Sequence, residues 1–190
     1  TRHLVDEAVD SGFRALMLTV DAPRAGRRER DLRTGFGVPD GIDMPAVNAA
    51  IGHTGGVTPA AFFSLVDTAV TWKDVERMAA DSPIPFVIKG IHTAEDAVLA
   101  VEHGAAAVVV SNHGGRQLDG VAATADVLPA VVDAVGGRCE VLVDGGIRRG
   151  TDVLTAVALG ADAVMIGRPA LWGLAADGEA GALAALRLFR

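Results

Sequence analysis

A single cysteine, Cys139, is all that this chain of 190 residues contains, which rules out an internal disulfide framework and fits a reducing cytosol. Positive charge is also scarce. Lysine and arginine number 17 against 24 aspartates and glutamates, a formal charge of −7, and no basic block stands out that could hold a polyphosphate backbone. Nucleic acid is therefore not expected as a partner. The sequence has no run of about 18 apolar residues to span a membrane and no charged-then-apolar leader, so a soluble, cytoplasmic protein is expected. What is present is ordinary for a globular domain: 50% hydrophobic and 22% charged residues, in a length that suits one domain. The opening "TRHLVDEAVDSG" lacks methionine and places Leu4, Val5 and Ala8 at helical spacing. It reads as a helix already under way, hence one domain over residues 1–190, truncated at its N-terminus.

A repeated unit of helix, glycine-containing turn, apolar strand and polar loop occurs five times. Strands are expected over Ala15 to Val20, Phe86 to Lys89, Ala106 to Val110, Glu140 to Val143 and Ala163 to Ile166. Helices are expected from Thr71, from Thr93, over about Ala123 to Val135, and from Gly150, with Gly104 and Gly160 as C-terminal stops. Alternating strands and helices imply parallel βαβ units. The stretch from Gly35 to Val70 is too long for an ordinary βα loop and reads either as a lid over the strand ends or as a disordered insert.

Each strand ends in a polar burst: "TVDAPRAGRR", "KGIHT", "SNHGGRQLD", "DGGIRRG" and "GRPALW". On parallel strands these bursts share one face, which favours a portion of a (β/α)8 barrel over an open sheet. The last two loops combine glycines with Arg148 and Arg168 next to a helix start, a pattern suited to a phosphate dianion. In the middle loop, Gly114 and Gly115 remove two side chains between His113 and Arg116. His113 is either a base oriented by Asp21 or an ordinary turn residue. Arg28 and Arg116 each offer a fork matched to a carboxylate. Lys89 is either a snorkelling surface lysine or a cation that neutralises charge developing on a cofactor.

The collinear motifs "LTVDAPRAGRRERDLRTGF", "IKGIHTAEDA", "SNHGGRQLDG", "VDGGIRRGTDV" and "ALGADAVMIGRP" resemble the FMN-dependent 2-hydroxy acid oxidase and dehydrogenase family, which includes glycolate oxidase, lactate oxidase and mandelate dehydrogenases. The resemblance implies a TIM barrel of which this chain covers about strands four to eight, and oxidation of an L-2-hydroxy acid to the 2-oxo acid as FMN is reduced. It makes His113 the base, Asp21 its partner, and Arg28 and Arg116 the carboxylate ligands. It places Lys89 at the flavin N1/O2 edge and Thr19 and Ser111 on the isoalloxazine. Asp144, Gly145, Gly146, Ile147, Arg148, Gly167 and Arg168 would hold ribityl and phosphate. No metal is implied; the electron acceptor would be oxygen, a quinone or another carrier, and the assembly a homo-oligomer, the family's tetramer. The family's first three strands and their aromatic residues have no counterpart here, and the chain has no tyrosine. Two other readings are an inactive half-barrel and another FMN barrel such as a type 2 isopentenyl diphosphate isomerase, which shares the phosphate loops but not "SNHGGRQLD".

Overall fold

The computed structural model describes residues 2–36 and 66–190, together with the isolated positions 42, 45 and 48. Most of the segment expected as a lid therefore lies outside the described residues. Helix α1 (Arg2–Asp10) leads to strand β1 (Leu16–Thr19) and a short α2 (Glu29–Thr34). After α3 (Trp72–Asp81) come β2 (Phe86–Ile91), α4 (Ala94–Glu102), β3 (Ala107–Val110) and a 3₁₀ turn (His113–Gly115). The chain continues through α5 (Thr124–Val135), β4 (Glu140–Val143), α6 (Gly150–Ala158), β5 (Ala163–Val164) and α7 (Arg168–Arg187).

The five strands form one parallel sheet in the order β1-β2-β3-β4-β5. A doubly wound sheet reverses its strand order at a switch point, whereas a barrel adds each strand beside the last. This sheet follows the barrel progression, so all the strand C-termini open on one side.

Alternation along the strands divides the apolar residues between two faces. One face packs on the helices: Ile88, Val108, Val110, Val141 and Val143 meet Ala97 and Ala100 of α4, Leu128, Val131 and Val135 of α5, and Ala156 of α6. The other face carries a smaller cluster of Val87, Ala107 and Val109 with Leu142 and Met165. β3 is buried on both faces, which is why it reads as an unbroken run of small and β-branched residues. Cys139 enters β4 half-buried, and burial pushes its thiol pKa up.

Among the described residues, the helices α2 and α7 were not foreseen from the sequence. α2 follows directly on the first polar burst; its Leu32 is 66% exposed and its Glu29–Arg33 pair spans 3.6 Å in solvent, so it has no apolar stripe to betray it. α7 begins with proline in its first turn but is punctuated by glycines. The helical path breaks at Asp177 and Gly178. Its two halves fold against each other where Gly173 and Gly181 meet, each leaving no space for a side chain beside the other's carbonyl.

Candidate active site

The site is built from the residues just past β1 to β5. Beyond β3, the Asn112 side chain accepts a hydrogen bond from the Gly115 N–H (3.2 Å) and so closes the 3₁₀ turn. His113 sits in the left-handed region at φ 57°, the one non-glycine residue with positive φ among those described. Its own N–H donates to Ser111 Oγ at 3.1 Å, which fixes that conformation. The imidazole then reaches Asp21, with Nδ1 lying 3.1 Å from Oδ1 and 3.2 Å from Oδ2. A carboxylate can only accept, so Nδ1 carries the hydrogen and the neutral ring keeps its lone pair on Nε2. That tautomer can take a proton.

Asp21 reaches this position because of Gly90. β2 carries an irregularity between Lys89 and Ile91, and a Cβ on Gly90 would lie 2.7 Å from the Asp21 Cβ. Gly90 also has φ 109°, so two independent constraints exclude a side chain there. The sequence reading passed over Gly90; the signal that could have found it is a glycine directly after the strand lysine.

A second network lies beneath the first. Lys89 Nζ is 3.0 Å from Asp144 Oδ2, with both side chains mostly buried, and it donates to Ser111 Oγ at 2.9 Å. Ser111 in turn donates to Asp144 Oδ1 at 2.6 Å. With the bond from His113 N–H, this hydroxyl uses its one donor and both acceptor positions within the protein. Lys89 is thus an inward-facing, paired cation, not a surface lysine.

Lys89, His113, Arg116, Asp144, Gly145, Gly146, Ile147, Gly167 and Arg168 line one cavity of about 330 Å³ at the strand C-termini. It adjoins a second cavity of about 410 Å³, which Arg148 lines with Asp152, Thr124 and Trp172, and Arg168 belongs to both. The expected α6 N-terminal site is partly occupied by the chain itself, because Asp152 Oδ2 accepts from the N–H groups of Arg148 (2.8 Å) and Arg149 (3.0 Å). Three permanent cations, Lys89, Arg116 and Arg168, face one carboxylate, Asp144, around the first cavity. This balance suits an anionic group.

Two expected site residues stand apart. Thr19 lies opposite Lys89 in the β1–β2 register and lines a different hollow, behind Ala22 and Pro23. Arg28 does not line the cation-rich cavity. Among the described residues, no group of three or more histidine, cysteine or acidic side chains is placed to hold a metal.

Parallel strands in barrel order, with a histidine–aspartate pair and a cation-lined cavity at their C-termini, define the class as a (β/α) barrel. The whole chain, residues 1–190, matches the family model of the FMN-dependent dehydrogenases, and the chain belongs to that family. It is 52% identical over 187 residues to an L-lactate oxidase of Nostoc sp., covering 95% of this chain and 51% of that protein. It is 47% identical over 196 residues to the glycolate oxidase of Spinacia oleracea, covering 99% and 52% respectively. Among solved structures, a mandelate oxidase superposes with a TM-score of 0.84 at 46% identity, covering 98% of this chain and 52% of that one. The chain spans about half the length of the relatives it matches, and its sheet is part of a TIM barrel.

Proposed function

We propose that this chain supplies the base, the carboxylate-binding arginines and much of the FMN site of an enzyme that oxidises an L-2-hydroxy acid to the 2-oxo acid. The observation that carries the reading is the Asp21–His113 pair beside a cavity lined by three cations. Bound FMN would supply the acceptor for the hydride that leaves substrate C2. The residues fit it: Lys89 offers a cation to an electron-rich ring edge, and Arg168, Arg148 and the Gly145–Gly146 and Gly167 backbone suit a phosphate. Ser111 would meet the ring system beside Lys89, Asp144 holds Lys89 in place, and Thr19, which lines a different hollow, is left out of this reading.

Arg116, with Arg28, holds the substrate carboxylate. His113 Nε2 takes the hydroxyl proton as the carbon–hydrogen bond breaks, and Asp21 stabilises the imidazolium so formed. Arg116 fixes the orientation that lets one imidazole meet one hydroxyl.

General-base assistance is worth roughly 10² to 10⁴ in rate. In the longest natural polypeptide that contains this chain, His113→Gln should slow anaerobic flavin reduction by at least about 10² while flavin content stays at the parental level. Arg116→Lys keeps the charge but loses the two-pronged fit, so its defect should fall mainly on substrate affinity. Stopped-flow reduction with glycolate, L-lactate and (S)-mandelate separates the two effects. A His113→Gln protein that reduces at the parental rate removes His113 from the role of base.

A further inference from the structure

β1 and β3 are not neighbours; β2 lies between them. Sheet pairing therefore does not set the distance between the loop after β1, which carries Arg28, and the loop after β3, which carries Arg116. The chain joins these loops directly, on the far side of Arg116 from His113. Gln117 Nε2 donates to the Arg24 carbonyl at 3.1 Å. Next to that bond, a Cβ on Gly26 would stand 2.0 Å from the Arg116 carbonyl oxygen and 2.9 Å from Gln117 Oε1. No side chain fits in that gap, and Gly26 lies two residues before Arg28. Arg28 Nε is shielded from solvent and has no hydrogen-bond partner among the described residues, so the loop's position, not a bond at Nε, decides where this guanidinium is held.

We infer that Gln117 and Gly26 form a latch that sets the separation of Arg28 from Arg116 and so the fit of the substrate carboxylate. The inference rests on the reading of those two arginines as carboxylate ligands. Gln117 acts through them and is a positioning residue. Without the latch two cationic loops repel and drift apart, and the carboxylate meets one fork well and the other badly.

The test uses the longest natural polypeptide containing this chain, loaded with FMN, in variants Gln117→Met, Gly26→Ala and Arg116→Lys. Gln117→Met keeps length and bulk but has no N–H to donate. Losing one neutral hydrogen bond should weaken binding of the 2-hydroxy acid roughly three- to tenfold, with the limiting rate of flavin reduction and the flavin content unchanged. Gly26→Ala forces the loops apart on the scale of an ångström and should lower kcat/KM by about 10². Amide hydrogen exchange of the unliganded protein should quicken at residues 22–28 and 114–118 in both variants, a readout independent of turnover. Parental affinity and exchange in Gln117→Met and Gly26→Ala, beside weakened binding in Arg116→Lys, overturns the latch alone. Parental affinity in all three overturns the carboxylate reading as well. Flavin lost in step with substrate affinity overturns the latch in favour of a general packing role, and Gln117→Met decides this if Gly26→Ala does not fold.

Discussion

Arg168 combines one tether with a place in the lining of both cavities. Its Nη2 donates to the Gly114 carbonyl at 2.8 Å, and its side chain also borders both cavities. The guanidinium thus ties the end of β5 to the turn that presents His113, and Gly114 is the residue that permits it, since a Cβ there would lie 2.5 Å from Nη2. A charge-assisted contact contributes roughly 1.5 to 3 kcal/mol, so Arg168→Ala should weaken FMN binding by about ten- to a hundredfold. Arg168→Lys should recover part of that through its charge but not the tether to Gly114. A flavin titration of the apoprotein checks both, and unchanged affinity in Arg168→Ala would take this residue out of the phosphate site.

At the level of elements, helix starts are where the chain's acids act on stability. At the start of α3, Asp74 Oδ2 accepts from the Thr71 hydroxyl (2.7 Å) and the Thr71 N–H (3.0 Å), while Oδ1 meets Arg77 at 2.8 Å. The bonds from Thr71 foremost, then the Arg77 charge, hold the Asp74 pKa below its ordinary 3.8. A depressed carboxylate stabilises the fold above its unfolded pKa, and that contribution is lost as pH falls through the folded value. Asp74→Asn should accordingly unfold more easily than the parent at pH 7, with the gap closing below about pH 4; urea midpoints across that range measure it. The strands were legible because buried parallel strands are apolar throughout, and all five expected ranges lie within two residues of those observed at each end, β4 with the same bounds. β5 stops at Val164, although Met165 N–H still bonds the Val143 carbonyl. His113, Asp21 and Lys89 were legible as a group because chemistry collects at strand ends, whereas Asp144 was read with the phosphate loop and its ion pair with Lys89 was not foreseen. The Gly90 contact and the Gln117 bond were not, because each depends on how far one loop leans over a neighbouring strand, and spacing in sequence carries no such distance.

Taken whole, the molecule shows an incomplete enclosure. Among the described residues β1 pairs only with β2 and β5 only with β4, whereas a TIM barrel closes eight strands on themselves. Met17 on β1 is 42% exposed, and on α7 Leu171 and Trp172 are 60% and 54% exposed. Unpaired edges and contiguous apolar surface favour association. The 190-residue chain alone should therefore bind the dye ANS in its native state and gain apparent mass with concentration in analytical ultracentrifugation. A dye-silent species of constant monomer mass would show that these surfaces are covered in solution.

The left-handed backbone of His113 sets the fold and the chemistry at odds. Alanine usually stabilises a chain over glycine by about 0.5 to 1 kcal/mol, because it leaves the unfolded state less freedom. At φ 57° the order should reverse. His113→Gly and His113→Ala lose the same imidazole and the same contact with Asp21, yet the glycine variant should be the more stable by about 1 kcal/mol, read from thermal or urea unfolding. The difference between the two variants reads out the backbone strain that the fold carries at the residue from which the imidazole is presented.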